Sequence, residues 1–159
     1  MTTPDLLDSD PVTPQDDERA FCLVKSRQGG PESHAELLEG WHELEGGSWR
    51  WTERRFMVVL KTPAPGRPAT LRLKFLLPPE LLAWLHSVTL TATVNGVPLA
   101  PQTYTGAGDQ IYARSIPAEA LAGENARIDF QLDRALAPDE TDHRERGLVV
   151  SYAWLEATS

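Results

Sequence analysis

Thr89-Leu90-Thr91-Ala92-Thr93-Val94-Asn95-Gly96-Val97-Pro98-Leu99 is the stretch that decides the fold. Leu90, Ala92 and Val94 alternate with threonines, and a period of two places apolar side chains on one face of a strand and polar ones on the other. Asn95-Gly96 follows without a spacer. Both central residues of a type I′ turn need positive φ, which Asn and Gly tolerate, so the dipeptide predicts a tight hairpin. Pro98 cannot donate to a β-ladder, which predicts a short returning strand or one at a sheet edge.

The same alternation recurs on both sides. Leu71, Leu73, Phe75 and Leu77 are interleaved with Arg72, Lys74 and Leu76. Ile128, Phe130 and Leu132 are interleaved with Arg127, Asp129, Gln131 and Asp133. One dry face and one wet face is the signature of antiparallel sheets. Phe56–Leu60 and Leu148–Trp154 predict strands of more continuous apolar character, and Ile111–Ile116 a weaker one. Only two segments read as helical, Pro79–Leu85 and Pro117–Gly123, each opened by proline and the second closed by glycine. They echo each other: Leu77-Pro78-Pro79-Glu80-Leu81-Leu82 against Ile116-Pro117-Ala118-Glu119-Ala120-Leu121. Each follows a strand and leads to the next, so they read as matching turns over the edge of a sandwich. Short strands with turn-rich connections predict an all-β, antiparallel β-sandwich with one or two short helical turns.

Composition sets the outer limits. A chain of 159 residues with 41% hydrophobic content is the size of one domain with a real core. The single cysteine, Cys22, excludes an internal disulfide and a multi-cysteine zinc site. No apolar run approaches the roughly 18 residues that a membrane span needs. The formal net charge of −8 argues against nucleic acid as a partner. That charge is uneven: Asp5, Asp8, Asp10, Asp16, Asp17 and Glu18 face no base up to residue 18, so the remainder carries about −2. Acid and proline with little to bury predict a disordered tail over residues 1–20. Phe21–Val24 reads as an edge strand, Gln28-Gly29-Gly30-Pro31 as a break in a linker ending near residue 35, and residues 36–157 as the sandwich. The N-terminal stretch lacks the features of a secretory or mitochondrial signal, which makes the cytoplasm the default expectation.

Several motifs in order resemble the galactose-binding-like jelly-roll domains, including those appended to glycoside hydrolases. They are Thr93–Leu99, the strand reaching Ile116-Pro117, and Leu121-Ala122-Gly123-Glu124-Asn125-Ala126-Arg127-Ile128. Gly40-Trp41-His42-Glu43-Leu44-Glu45, Trp49-Arg50-Trp51-Thr52 and Asp142-His143-Arg144-Glu145-Arg146-Gly147-Leu148-Val149-Val150 are similar to segments of sandwich domains attached to bacterial glycosyltransferases of polysaccharide assembly. The resemblance spans roughly Gly40 to Leu155. It implies a jelly roll, and as partner a glycan or, in trans, a polysaccharide-assembly enzyme. Fold resemblance is a weak guide to task.

The densest cluster of unusual residues is Trp41 to Arg55. Sugars offer apolar C–H faces and polar edges, which a flat aromatic ring with charged groups at its rim can match. The ligand-binding candidates are therefore Trp41, Glu45, Trp49, Trp51 and Arg54, with Asp142 and Arg144 from the loop before the last strand. A core role competes: Trp49 and Trp51 stand two apart and share a strand face, the core role outweighing the platform role for Trp51 and balancing it for Trp49. Gly46-Gly47 marks a loop that keeps Glu45 and Trp49 near the rim. The Pro138–Arg146 loop holds oxygen ligands that could take calcium, but Arg144 and Arg146 oppose a cation, and internal pairing of Asp142 or Arg144 is the stronger expectation. His34, His42, His86 and His143 form no zinc-hydrolase motif, no nucleophile elbow is present, and no carboxylate pair is selected by spacing. The expectation is a non-catalytic, weakly binding carbohydrate module without cofactor. The alternative is a protein–protein or assembly domain using the N-terminal segment and a sheet edge. Oligomeric state is left open.

Overall fold

The computed structural model describes residues 20–23, 35–45 and 49–157. The expected acidic tail through residue 19, the Gln28–Pro31 break, His34 and the Gly46-Gly47 loop lie outside the described residues.

In chain order the strands are β1 (Ala20–Leu23), β2 (Ala35–Leu37), β3 (Trp41–Glu45), β4 (Trp49–Thr52), β5 (Arg55–Lys61) and β6 (Ala69–Leu77). A two-turn helix, α1 (Pro79–Leu85), leads to β7 (Val88–Val94), β8 (Val97–Pro98), β9 (Gln102–Tyr104) and β10 (Gly108–Ile116). A 3-10 turn (Ala118–Leu121) leads to β11 (Asn125–Leu132), and β12 (Val149–Ala157) closes the chain. They form two antiparallel sheets. One has the order β9-β7-β11-β5-β2, with β8 paired to β7; the other has β10-β6-β12-β4-β3, with β1 paired to β12. The protein is an all-β sandwich, as the alternation predicts.

The alternating residues meet between the sheets. Phe56, Val58 and Leu60 of β5, Ile128, Phe130 and Leu132 of β11, and Leu71, Leu73, Phe75 and Leu77 of β6 are buried in one core. Phe56 stacks on Phe130 with centroids 4.9 Å apart, and Tyr112 of β10 meets Phe130 edge-on at 6.5 Å. Burying a side chain of this size contributes about 1.5–3 kcal/mol each, so this seam dominates stability.

The Asn95-Gly96 hairpin forms with φ of 49° and 86°, the left-handed values its turn type requires. β8 is two residues long and ends at Pro98. β10 extends beyond the expected Ile111–Ile116 because it pairs with β6 along its whole length, from Gly108↔Leu77 to Ile116↔Ala69. Leu148, Val149 and Val150 are buried in succession across the start of β12. The register then shifts between Val150 and Tyr152, and the extra residue moves the buried positions from Val150 to Ala153 and Leu155. β1 pairs with β12 through Leu23↔Tyr152 to Ala20↔Leu155.

Both proline-led segments carry the chain from the second sheet to the first, α1 between β6 and β7 and the 3-10 turn between β10 and β11. Because β6 and β10 run antiparallel, with Leu77 beside Gly108, the two crossovers cap opposite ends of the sandwich. Among the described residues no helix is long and apolar enough to cross a membrane.

Candidate functional site

The first candidate cluster is built by β3, β4 and the connection from β11 to β12. Trp41 is 5% exposed, its ring N–H donates to the Met57 carbonyl at 2.8 Å, and it packs edge-on to Phe56. Trp51 is also buried. Neither ring offers a face to solvent: both are core side chains, so the aromatic platform expected of Trp41 and Trp51 does not form. Trp49 is half-buried and packs against the same core. Sharing a strand face brought Trp49 and Trp51 to the same side, and that side is the interior.

The polar candidates are drawn together, mostly on one another. Arg144 grips Asp142 through Nε–Oδ1 and Nη2–Oδ2, each at 2.9 Å, and its Nη1 donates to Glu45 Oε2 at 3.0 Å. A forked pair of this kind is strong and directional. Arg144, through its side chain first and its backbone N–H second, holds the Asp142 carboxyl well below the usual carboxylate range. Both Asp142 oxygens are thus engaged, which leaves calcium no free carboxylate there. Among the described residues no group of three His, Cys, Asp or Glu is placed to hold a metal. Arg54 donates from Nε to the Leu132 carbonyl at 2.9 Å, and its backbone N–H donates to Glu145 Oε1 at 2.8 Å. Glu45, Arg54, Asp142 and Arg144 therefore act as a clasp that fastens the β11–β12 connection to β3 and the end of β4.

What the clasp holds is a cleft. The other side of the same connection faces α1, and between them lies a cavity of about 570 Å³ lined by Glu80, Trp84 and Leu85 of α1 and its margin and by residues including Leu136, Pro138, Asp139, Thr141 and Arg146. Trp84 is 77% exposed, the most open of the large apolar side chains among the described residues. An isolated exposed leucine is ordinary, whereas Trp84 sets its exposed indole on the wall of a cleft.

The opposite wall is hydrogen-bonded at its base and at its tip. Leu136 and Arg146 exchange backbone hydrogen bonds of 2.8 and 3.0 Å, closing the base of the loop. At its tip, Asp139 Oδ1 accepts from the Thr141 N–H, the Thr141 hydroxyl and the Asp142 N–H at 2.8–2.9 Å. These bonds, that from Asp142 foremost, lower the Asp139 carboxyl below its ordinary value. Asp139 Oδ2 stands 3.6 Å from Arg146 Nη2, and Asp142 Oδ2 stands 3.6 Å from Arg146 Nε. Both separations exceed a hydrogen bond, and the buried Arg146 Nε makes none. The Arg146 guanidinium lies over the Trp51 ring, 5.5 Å from its centroid. Trp51 thus bears on the cleft from behind, by positioning Arg146.

Sequence reasoning passed over Trp84 and Glu80, and weighed Asp139 only as one of the oxygen ligands of the Pro138–Arg146 loop. A signal was available: Glu80 and Trp84 are four apart and share one helix face, while Leu81 and Leu85 share another. The acid marks its face as the wet one, and Leu81 is fully buried on the other.

No protein-family profile and no curated protein matches the chain. Among solved structures, the chain is similar to part of a family GH115 4-O-methyl-α-glucuronidase with specificity for decorated arabinogalactans, at 10% identity and TM-score 0.51. That match covers 100% of this chain and 19% of the glucuronidase, so the chain spans about a fifth of its length. It is also similar to a xylan-binding domain from Paenibacillus barcinonensis, at 12% identity and TM-score 0.47 over 88% of this chain and 98% of that one. A family 35 carbohydrate binding module from Clostridium thermocellum matches at 12% identity and TM-score 0.44, over 78% of this chain and 92% of the module. The likeness is one of fold. The jelly-roll sandwich implied by the sequence motifs is the fold observed.

Proposed function

We propose that this domain is a non-catalytic carbohydrate-binding module that seats a sugar ring against Trp84. The observation that carries the reading is the 77% exposed Trp84 on the wall of the cleft, opposite the fixed polar groups of Asp139, Thr141 and Arg146. The indole offers an apolar plane to sugar C–H bonds, and the opposite wall offers acceptors and donors to hydroxyls. The cleft is open, so hydroxyls give up well-bonded water for protein partners of similar quality. Binding is accordingly weak. A polysaccharide-processing enzyme or an assembly partner would use such a module to hold its substrate.

The test is calorimetric titration of the whole chain with neutral and acidic oligosaccharides, in the native protein and in Trp84→Ala. Binding in the native protein that falls at least about tenfold in the variant supports the site. Binding that persists unchanged moves it elsewhere, and silence across the panel rejects the reading. A Trp84→Ala variant that alters oligomer size instead would favour the assembly-domain alternative.

A further inference from the structure

We infer that Glu80 and Asp139 make this cleft selective for uncharged sugars and exclude carboxylated ones. The inference rests on the proposed glycan site and names its ligand class. Of the charged residues lining the cleft, two are acids, Glu80 and Asp139, and one is a base, Arg146. The base does not compensate both. Its guanidinium lies between Asp139 Oδ2 and Asp142 Oδ2, each at 3.6 Å, so its charge is already divided between two carboxylates. Of the neighbouring bases, Arg144 is committed to Asp142 and Glu45, and Arg134 donates from Nη1 to the Leu85 carbonyl at 2.9 Å with its Nε 3.7 Å from Asp133 Oδ2.

Asp139 cannot relieve the repulsion by taking up a proton near neutral pH. Its Oδ1 receives three hydrogen bonds from the turn at Thr141 and Asp142, which stabilise the charged form. Nor can it swing aside, because the same bonds fix its side chain. Glu80 is exposed in the first turn of α1, on the same face as Trp84. A sugar stacked on Trp84 therefore has one carboxylate on its own side and another across the cleft. Hydroxyl groups donate to both. A uronic acid in the same pose brings a third negative charge into the space between them.

At surface-like dielectric, two like charges several ångströms away cost on the order of a tenfold loss of affinity together. The effect weakens as salt rises, since the site is open to solvent. The lining contrasts with an anion-binding site, where a free arginine would face the ligand in a forked geometry.

The experiment is calorimetry on the whole chain with matched sugar pairs: cello-oligosaccharides against their uronate form, and galacto-oligosaccharides against oligogalacturonates. The readout is the affinity ratio within a pair, which does not depend on the absolute strength of binding. The native protein should prefer the neutral member by about tenfold at low salt and less at high salt. Glu80→Gln should narrow the ratio, and Glu80→Gln with Asp139→Asn should nearly abolish it. Asn at position 139 keeps the Oδ1 acceptor for its three donors, and Glu80→Gln alone, on an exposed helix face, keeps the test open if the double variant folds poorly. Equal or tighter binding of the uronate member by the native protein overturns the selectivity while leaving the Trp84 site standing. A ratio that the variants do not move overturns the assignment to Glu80 and Asp139. Absence of binding by either member of every pair, or binding indifferent to Trp84→Ala, overturns the glycan site and this inference with it.

Discussion

The two connections that carry the chain between sheets begin alike and finish differently. Each follows a strand, turns on a proline and makes a short helical piece. The 3-10 turn, Ala118–Leu121, is four residues long and folds inward. Ala120 and Leu121 are buried. Asn95 Nδ2 donates to the Ala120 carbonyl at 2.8 Å, and Gly66 N–H donates to the Leu121 carbonyl at 2.8 Å. The hairpin on one side and the β5–β6 loop on the other seal that end. The helix α1, Pro79–Leu85, is seven residues long. Its extra turn projects Trp84 past the sheets, and only Leu81 is fully buried. One end of the sandwich is a plug, and the other is a wall. Local sequence chooses the kind of connection; its length and the loops around it choose whether the end is closed or open.

The contrast is sharpest when each end is cut. Leu121→Ala removes a fully buried side chain from the sealed end and should cost about 3 kcal/mol in urea unfolding, with sugar affinity of the folded protein unchanged. A loss under 1 kcal/mol would mean that this end is not a plug. Gly147→Ala strikes the base of the open end. A Cβ there would lie 2.6 Å from Leu132 Cδ1 and 2.8 Å from the Glu53 carbonyl, and Gly147 N–H donates to the Thr52 carbonyl at 2.6 Å. Backbone must shift, so about 2 kcal/mol should be lost, and the affinity at the cleft should fall with it because the loop moves. Trp84→Ala should leave unfolding within about 0.5 kcal/mol of the native value, since the ring is exposed, while binding falls. Stability and binding thus separate in opposite senses at Leu121 and at Trp84, and fall together at Gly147.

The smallest effect concerns pH. Asp142 is held below its ordinary value by Arg144. A lowered folded value favours the charged form in the folded state, so the clasp contributes fully above the unfolded value of 3.8 and is lost as pH falls below it. Carboxyl NMR should show Asp142 still ionised at pH 4 while exposed acids titrate. A midpoint for Asp142 near 4 would dissolve the clasp.

Most of the sandwich was legible because its information is local. Alternation along β6, β7 and β11 marks faces, Asn95-Gly96 fixes a turn by its dihedral needs, and proline sets both crossovers. β2, β3 and β9 were not legible: Ala35–Leu37 and Gln102–Tyr104 are too short to show a period, and β3 is interrupted by a register shift between Trp41 and Leu44. The site was legible only by halves. Glu45, Arg54, Asp142 and Arg144 do converge, but as a clasp, because each charge finds its partner before it meets a ligand. The tryptophan-rich stretch drew attention to Trp41 and Trp51, which pack into the core, Trp41 edge-on to Phe56 and Trp51 beneath Arg146. Trp84 looked like one more apolar residue in Leu81-Leu82-Ala83-Trp84-Leu85. Its exposure was marked locally by Glu80, but the cleft it borders is completed by a loop more than fifty positions later in the chain, and no window around α1 contains that fact.

The reciprocal bonds between Leu136 and Arg146 have an evolutionary consequence. Residues 137–145 hang between that rung and the clasp, in which Arg144 meets Glu45 and Glu145 meets Arg54, at the margin of a completed fold and away from the core seam that dominates its stability. Changes at positions 137–141 reshape the cleft wall while the clasp and the sheets keep their register, so that surface can vary by drift or by grafting without first solving the folding problem again.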